Sequence, residues 1–423
     1  MVLYVRWLLK DNYKLSTIST EVKMKDIINC ISFKAKNIIL NPVENLPMEF
    51  GDKSISQLQG LYITDKNRTE EQKKNSKILF AGRDNYINSV ISTYELWKTK
   101  LKAQDITMRP QSGLNAHLLI FLGLGNIGDK VMLLPEEAGG HFSTHKILTR
   151  IGYNVIPIPI DFQNKCVDIE KAIKIQRKEK CDFLFVDRSE GLEYEDFSEL
   201  CRNFDGYKIF DASQYLSNII FNQFKSPFDM GFDLIISTLH KNFPGPQKAL
   251  ICTKDKNSIE WQNIMQTMYD CVSNIHADKI LQAGLILQNP LIKEYSNDIL
   301  VNAIRLEKAL SDFNVPVVTR NYNEPNTHHI WIPFIDKEQA YNAYKTLEHN
   351  GILTNYRQLP YDIGYGLRVG TNCATIQGLN ENNIKQLAYF FSQSINGKDN
   401  QEEIHRFISD MTHDSKYMNN KLK

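Results

Sequence analysis

Short apolar runs alternate with longer stretches of helical spacing through the first two thirds of the chain. Residues 130–134, 154–160, 182–186, 207–210 and 232–237 are β-branched or aromatic runs of strand length. Between them, residues 141–150, 168–176 and 194–203 carry apolar positions at helical spacing. Such β-α alternation predicts an α/β architecture whose parallel sheet is covered on both faces. Residues 247–253 supply a further strand.

The pattern changes near residue 290. A long helix over 292–310 is expected to lead into a smaller α+β unit, with strands near Val317 and Ile330, a helix over 337–349 and a terminal helix after Asn380. The expected division is an N-terminal segment (1–50), a large domain (51–290) and a small domain (291–423). The small domain should end in a polar tail from residue 396, part of it helical and fraying at its end. A chain of 423 residues accommodates two domains.

Charge and composition exclude more than they identify. The formal net charge is +1, so neither a nucleic-acid surface nor strong electrostatic steering is indicated. No apolar run approaches the ~20 residues of a membrane helix. The opening MVLYVRWLLK is broken by Arg6 and has no small-residue cleavage site after it, so a secretory leader is not expected. The seven cysteines stand singly with no CxxC pair, which predicts no zinc site and fits a reducing cytoplasm.

Candidate chemistry concentrates in residues 232–246, FDLIISTLHKNFPGP. A buried strand ends at Ser237-Thr238, and His240-Lys241 follow at once. Ligands of open α/β sheets lie beyond the carboxyl ends of the strands, where a lysine desolvated by its surroundings becomes a nucleophile able to form a Schiff base. Asp211 closes the preceding strand and could pair with the pyridine nitrogen of pyridoxal phosphate, keeping that ring an electron sink. Ser112-Gly113 precede an apolar helical run and could cradle a phosphate on helix N–H groups. Each residue alone also fits an ordinary role, as a surface lysine, a turn aspartate or a tight turn. Their order along the chain is the informative feature.

At these residues the chain resembles serine hydroxymethyltransferase, a fold-type I pyridoxal-phosphate enzyme of the aspartate-aminotransferase-like class. The resemblance runs over about residues 37–393. It is strongest in SPFDMGFDLIISTLHKNFPGP (226–246) and GLRVGTNCATIQGL (366–379), and weaker in VENL (43–46), PQSGLNAH (110–117) and AGGHFSTH (138–145). It implies that Lys241 is the Schiff-base lysine, with Thr238 and His240 beside it. Asp211 would be the ring-nitrogen partner, Ser112 and Gly113 part of the phosphate loop, and Ser189 a neighbour of the cofactor's phenolic oxygen. Arg368 would bind the substrate α-carboxylate, a role suited to a guanidinium fork. The resemblance further implies a homodimer.

The departures fall mostly on substrate handling. Leu114 replaces a second phosphate-loop serine, Gln214 takes a cofactor-binding position where the family has a histidine, and the ring-stacking imidazole would fall at Ala138. His141 and His145 lie close by in sequence, with His141 the expected substrate contact. Ile78-Leu79-Phe80-Ala81-Gly82 lacks the family's tyrosine hydroxyls, and residues 265–274 lack its glycines. No catalytic glutamate can be assigned, Glu70 and Glu71 being the nearest in sequence. These changes imply a divergent hydroxymethyltransferase-, aldolase- or transaldolase-like enzyme that acts at the α-carbon of a small amino acid, without the standard dependence on folate and with an aldehyde co-substrate. Two other readings stay open: an aminotransferase or decarboxylase on the same scaffold, and a non-catalytic protein that keeps the fold.

Overall fold

The computed structural model describes residues 29, 32–48, 65, 68–82, 84, 86–320 and 325–418. The opening MVLYVRWLLK lies outside them. A seven-stranded sheet forms the centre, from β1 (Asp105–Thr107), β2 (Lys130–Leu133), β3 (Asn154–Pro157), β4 (Phe183–Val186), β5 (Tyr207–Asp211), β6 (Leu234–Thr238) and β7 (Ala249–Thr253). Its order is β1-β7-β6-β5-β4-β2-β3. The pairs from β3 through β6 are parallel, with Val131 opposite Phe183, Phe183 opposite Tyr207 and Ile209 opposite Leu234.

Strands β4, β6 and β7 are buried at every position, because helices cover both faces and neither face can be polar. Helices Gly113–Leu124 and Ile259–Cys271 pack together on one face. Trp97 and Tyr295, from helices Ile87–Leu101 and Leu291–Asp312, belong to the core on the other.

This topology gathers the chemistry at one sheet edge. Parallel β4, β5 and β6 end together, so Asp187, Asp211 and Thr238 emerge side by side. Strand β7 runs antiparallel to β6, with Ala249 opposite Thr238, and β1 antiparallel to β7. The chain leaving β1 therefore enters helix Gly113–Leu124 at the same edge.

The C-terminal part has its own sheet and core. Strands β8 (His329–Pro333), β9 (Asn355–Leu359) and β10 (Gly364–Gly370) form an antiparallel sheet in the order β8-β10-β9. Leu306, Ile330, Leu367 and Phe391 share a core there with Ile38 and Leu40. The N-terminal segment is thus tied to this part, and Ile38–Ile39 pairs in parallel with Ile352–Leu353.

Several elements depart from the sequence pattern. The run 154–160 divides into Asn154–Pro157 and Ile160–Asp161, and only Ser198–Arg202 of 194–203 is helical. The expected strand near Val317 is an extended connection, joined to β8 by one bond from Val318 N–H to the Trp331 carbonyl. The last stretch is firmer than its polarity suggests: helix Gln401–His413 buries Ile404, Phe407, Ile408 and Met411, whose spacing places them on one face. Among the described residues no helix is long and apolar enough to cross a membrane.

Candidate active site

Lys241 sits three residues beyond β6, in a turn held by side-chain amides. Asn45 Nδ2 donates to the Lys241 carbonyl at 2.7 Å and Asn372 Nδ2 donates to it at 3.2 Å. Asn372 Nδ2 also reaches the Glu44 carbonyl at 3.1 Å, so the N-terminal strap and the C-terminal part of the chain converge on this turn. Burial pushes the Lys241 amine below the usual lysine range, against the attraction of Asp211. Such an amine is partly deprotonated more readily and is a better nucleophile.

The lysine opens into a cavity also lined by Ser112, Gly113, His141, Ser189, Asp211, Gln214, Thr238 and His240. All of these were expected site residues. Arg368 is not among the lining side chains. It is buried on β10, where Nε donates to Asn355 Oδ1 at 3.0 Å and Nη1 to the Ser189 carbonyl at 3.2 Å. It still acts on the cavity through its charge, which further lowers the Lys241 pKa.

A hydrogen-bond chain that the sequence pattern does not announce lies behind the cavity. His117 Nε2 lies 2.7 Å from Asp211 Oδ2, and the Ser213 N–H donates to Asp211 Oδ1 at 2.8 Å. Thr144 Oγ1 is 3.3 Å from His117 Nδ1 and donates to Asp187 Oδ2 at 2.6 Å. Burial raises the Asp211 pKa, but the His117 bond and charge, Ser213 and Lys241 outweigh it and hold the carboxyl down at about 2. Among the described residues Asp187 has no cationic partner of that kind, and its burial carries it well above the usual range. The two strand-end aspartates therefore differ in charge preference. His117, one turn into the apolar helix, was the available signal, a polar residue at an otherwise core position.

Among the imidazoles, His141 falls where it was expected, at the cavity. Ala138 is fully buried away from the cavity, whereas His141 lines it. Burial, then His117 and Lys241, lower the His141 pKa to about 4; burial and Lys241 bring His240 to about 4 as well. Both rings are neutral near pH 7. His141 directly follows the Gly139-Gly140 pair and Ala138 precedes it, so the path of the chain through the two glycines decides which side chain enters the cavity. His145 is exposed and lines a separate groove instead. Glu70 and Glu71 lie on the exposed helix Glu70–Lys74.

The donor set can be tested against pyridoxal phosphate. Among the described residues Thr238 Oγ1, Gln214 Oε1 and His240 Nδ1 are buried without hydrogen-bond partners, a costly state unless a polar ligand meets them. Ser112 caps helix Gly113–Leu124 by accepting from the Asn115 N–H at 3.2 Å, which leaves the earlier N–H groups of the first turn for an anion. A Cβ at position 113 would lie 2.8 Å from Thr238 Cγ2, so only glycine lets the loop approach β6 this closely. A nucleophilic lysine, an anionic aspartate and a helix N-terminus thus face one cavity, and they fit a phosphorylated aldehyde with a basic ring.

The serine hydroxymethyltransferase family profile matches residues 84–391. The chain belongs to this family. A serine hydroxymethyltransferase of Methanosphaera stadtmanae is 28% identical over 349 residues, 79% of this chain and 82% of that one. One from Pyrococcus horikoshii is 27% identical over 334 residues, 74% of this chain and 78% of its own. The fold is shared with an L-threonine transaldolase from Pseudomonas fluorescens at a TM-score of 0.84 and 19% identity, covering 99% of this chain and 94% of that one. The family member described here is accordingly a pyridoxal-phosphate-dependent enzyme of fold type I.

Proposed function

We propose that this hydroxymethyltransferase-family enzyme makes or breaks a bond to the α-carbon of a small amino acid, with an aldehyde rather than a folate as the second reactant. The observation that carries the reading is the convergence of Lys241, Asp211 and the Ser112-Gly113 turn on one cavity. Pyridoxal phosphate, when bound, supplies the electron sink for charge developing at the α-carbon.

The chain's own groups take the remaining tasks. Lys241 would hold the cofactor and, as an amine lowered by burial, would be the nearest base. Asp211, kept anionic by His117, would keep a proton on the ring nitrogen. The first turn of helix Gly113–Leu124 and Ser112 would take the phosphate, with Thr238 and His240 close by. Ser189 and Gln214 would meet the cofactor's polar substituents, and neutral His141 would meet the cofactor or the substrate. Arg368 binds the α-carboxylate.

Two features support an aldehyde partner over folate. Ile78, Leu79 and Phe80 supply no hydroxyl groups, and all three are exposed. The groove beside Arg357, Pro360 and Tyr361 carries Glu136, Glu137 and Asp362, which would repel the glutamate tail of a folate. The exposed 78–80 run is the kind of surface a second copy covers, so we place the enzyme in a homodimer. We place it in the cytoplasm on its single cysteines.

The test is a product assay with purified, cofactor-loaded protein. Serine or threonine should release an aldehyde without tetrahydrofolate, and added aldehyde should exchange into the product. Turnover that requires tetrahydrofolate would contradict the folate part, and conversion of the cofactor to its amine form would favour transamination instead.

A further inference from the structure

Glu190 follows Ser189 and is buried between two arginines. Its Oε1 contacts Arg357 Nη1 and lies 3.5 Å from Arg368 Nη1. Its Oε2 is buried without a hydrogen-bond partner among the described residues. Arg368 is likewise only partly committed: Nε and Nη1 are bonded, while Nη2 has no partner among the described residues. The β9–β10 pairing sets Asn355 opposite Arg368, which brings Arg357 to the same end of the sheet.

A buried carboxylate wedged into an arginine pair has consequences for what the pair can bind. Two guanidiniums offset by one carboxylate leave one uncompensated positive charge, enough for one ligand carboxylate. Glu136 also acts on Arg357, but it is exposed at the groove rim and screened by water. Burial pulls both arginines down to about 10, and for Arg357 the charge of Arg368 adds to it. The shortage of anion is therefore felt at both residues.

We propose that Glu190 is the specificity-determining residue of this site: it occupies Arg357 internally and so restricts the arginine pair to substrates with a single carboxylate. This rests on the assignment of Arg368 to the α-carboxylate. Amino acids with uncharged side chains are accepted, because Arg368 still has a free edge. Dicarboxylic amino acids are excluded, because their second carboxylate meets Glu190 where Arg357 would otherwise receive it. Glu190 does not touch the reacting atoms; it acts on selection.

The experiment is a titration of the visible cofactor band with serine, alanine, aspartate and glutamate. The wild type should respond to serine and alanine and require at least about tenfold more aspartate or glutamate. Glu190→Gln should tighten aspartate binding by about tenfold or more, and the double variant Glu190→Gln/Arg357→Gln should lose that gain. Should Glu190→Gln fail to fold, Arg357→Gln carries the test: Glu190 then has Arg368 alone, so serine affinity should fall, and unchanged affinity would overturn the proposal. A coloured wild type that binds aspartate as well as serine overturns this inference alone. A coloured protein that responds to no amino acid overturns the proposed function and this inference with it.

Discussion

At the scale of single residues, function rests on how burial is offset. Asp211 and Asp187 stand on adjacent strands, yet one is held near 2 and the other raised well above the carboxylate range, because His117 serves the first. Replacing Asp211 by Ala should leave cofactor binding largely in place through Lys241 and the phosphate turn. Turnover should fall by on the order of a hundredfold or more, as for loss of a preorganised charged group; stopped-flow rates on the coloured variant would check this. Asp211 is ionised down to about pH 2, below the ~3.9 of an unfolded aspartate, so its stabilising contribution is present above ~3.9 and lost as pH falls through about 2. His141 and His240, at about 4, should contribute no step near pH 6.5 to a profile of substrate binding. For Arg368, Ala should weaken amino-acid binding by ~1.5–3 kcal/mol, roughly ten- to a hundredfold, and leave the colour unchanged. Normal binding by Arg368→Ala would mean that another group holds the carboxylate.

At the scale of elements, the strap 41–48 and the turn after β6 are joined by side-chain amides rather than by strand pairing. Asn45→Ala and Asn372→Ala should each cost about 1 kcal/mol of stability and raise the cofactor off-rate, measurable by thermal melting and by transfer of cofactor to an acceptor. Lys248 is a second test. It is fully buried at the start of β7, donates to the Arg109 carbonyl at 3.2 Å and to Gln111 Oε1 at 3.1 Å, and burial lowers its pKa to about 7. An unfolded lysine keeps its proton to ~10.4, so the unfolded state binds more protons between those values and stability should rise with pH from about 7 upward. Lys248→Met should flatten that rise in a series of melting curves. Six of the seven strands of the large sheet were legible because buried strands read as continuous apolar runs, whereas Asp105–Thr107, three residues long and opening on a charged residue, was not. The turn at Lys241 was legible because it follows one of them. The connection at Val317 was not, since a β-branched run has strand propensity wherever it lies and only neighbouring strands decide its pairing. His141 was legible as a substrate contact from its position beside the double glycine, but the hydrogen-bond chain through His117 and Thr144 was not, because partners so far apart in sequence are brought together only by the fold.

At the scale of the whole molecule, the large sheet supplies the lysine and aspartate, the small sheet supplies Arg368, and the N-terminal segment fastens one to the other. The exposed Ile78, Leu79 and Phe80 predict a dimer; sedimentation of the loaded enzyme at micromolar concentration should show one, and a loaded monomer would contradict it. The whole site turns on Lys241. Borohydride reduction of the loaded enzyme, followed by digestion and mass mapping, should find the cofactor fixed to the peptide that contains Lys241 and to no other. Lys241→Ala should lack the visible band under the same loading. Cofactor fixed to a different lysine, or an unchanged band in Lys241→Ala, would contradict the site described here.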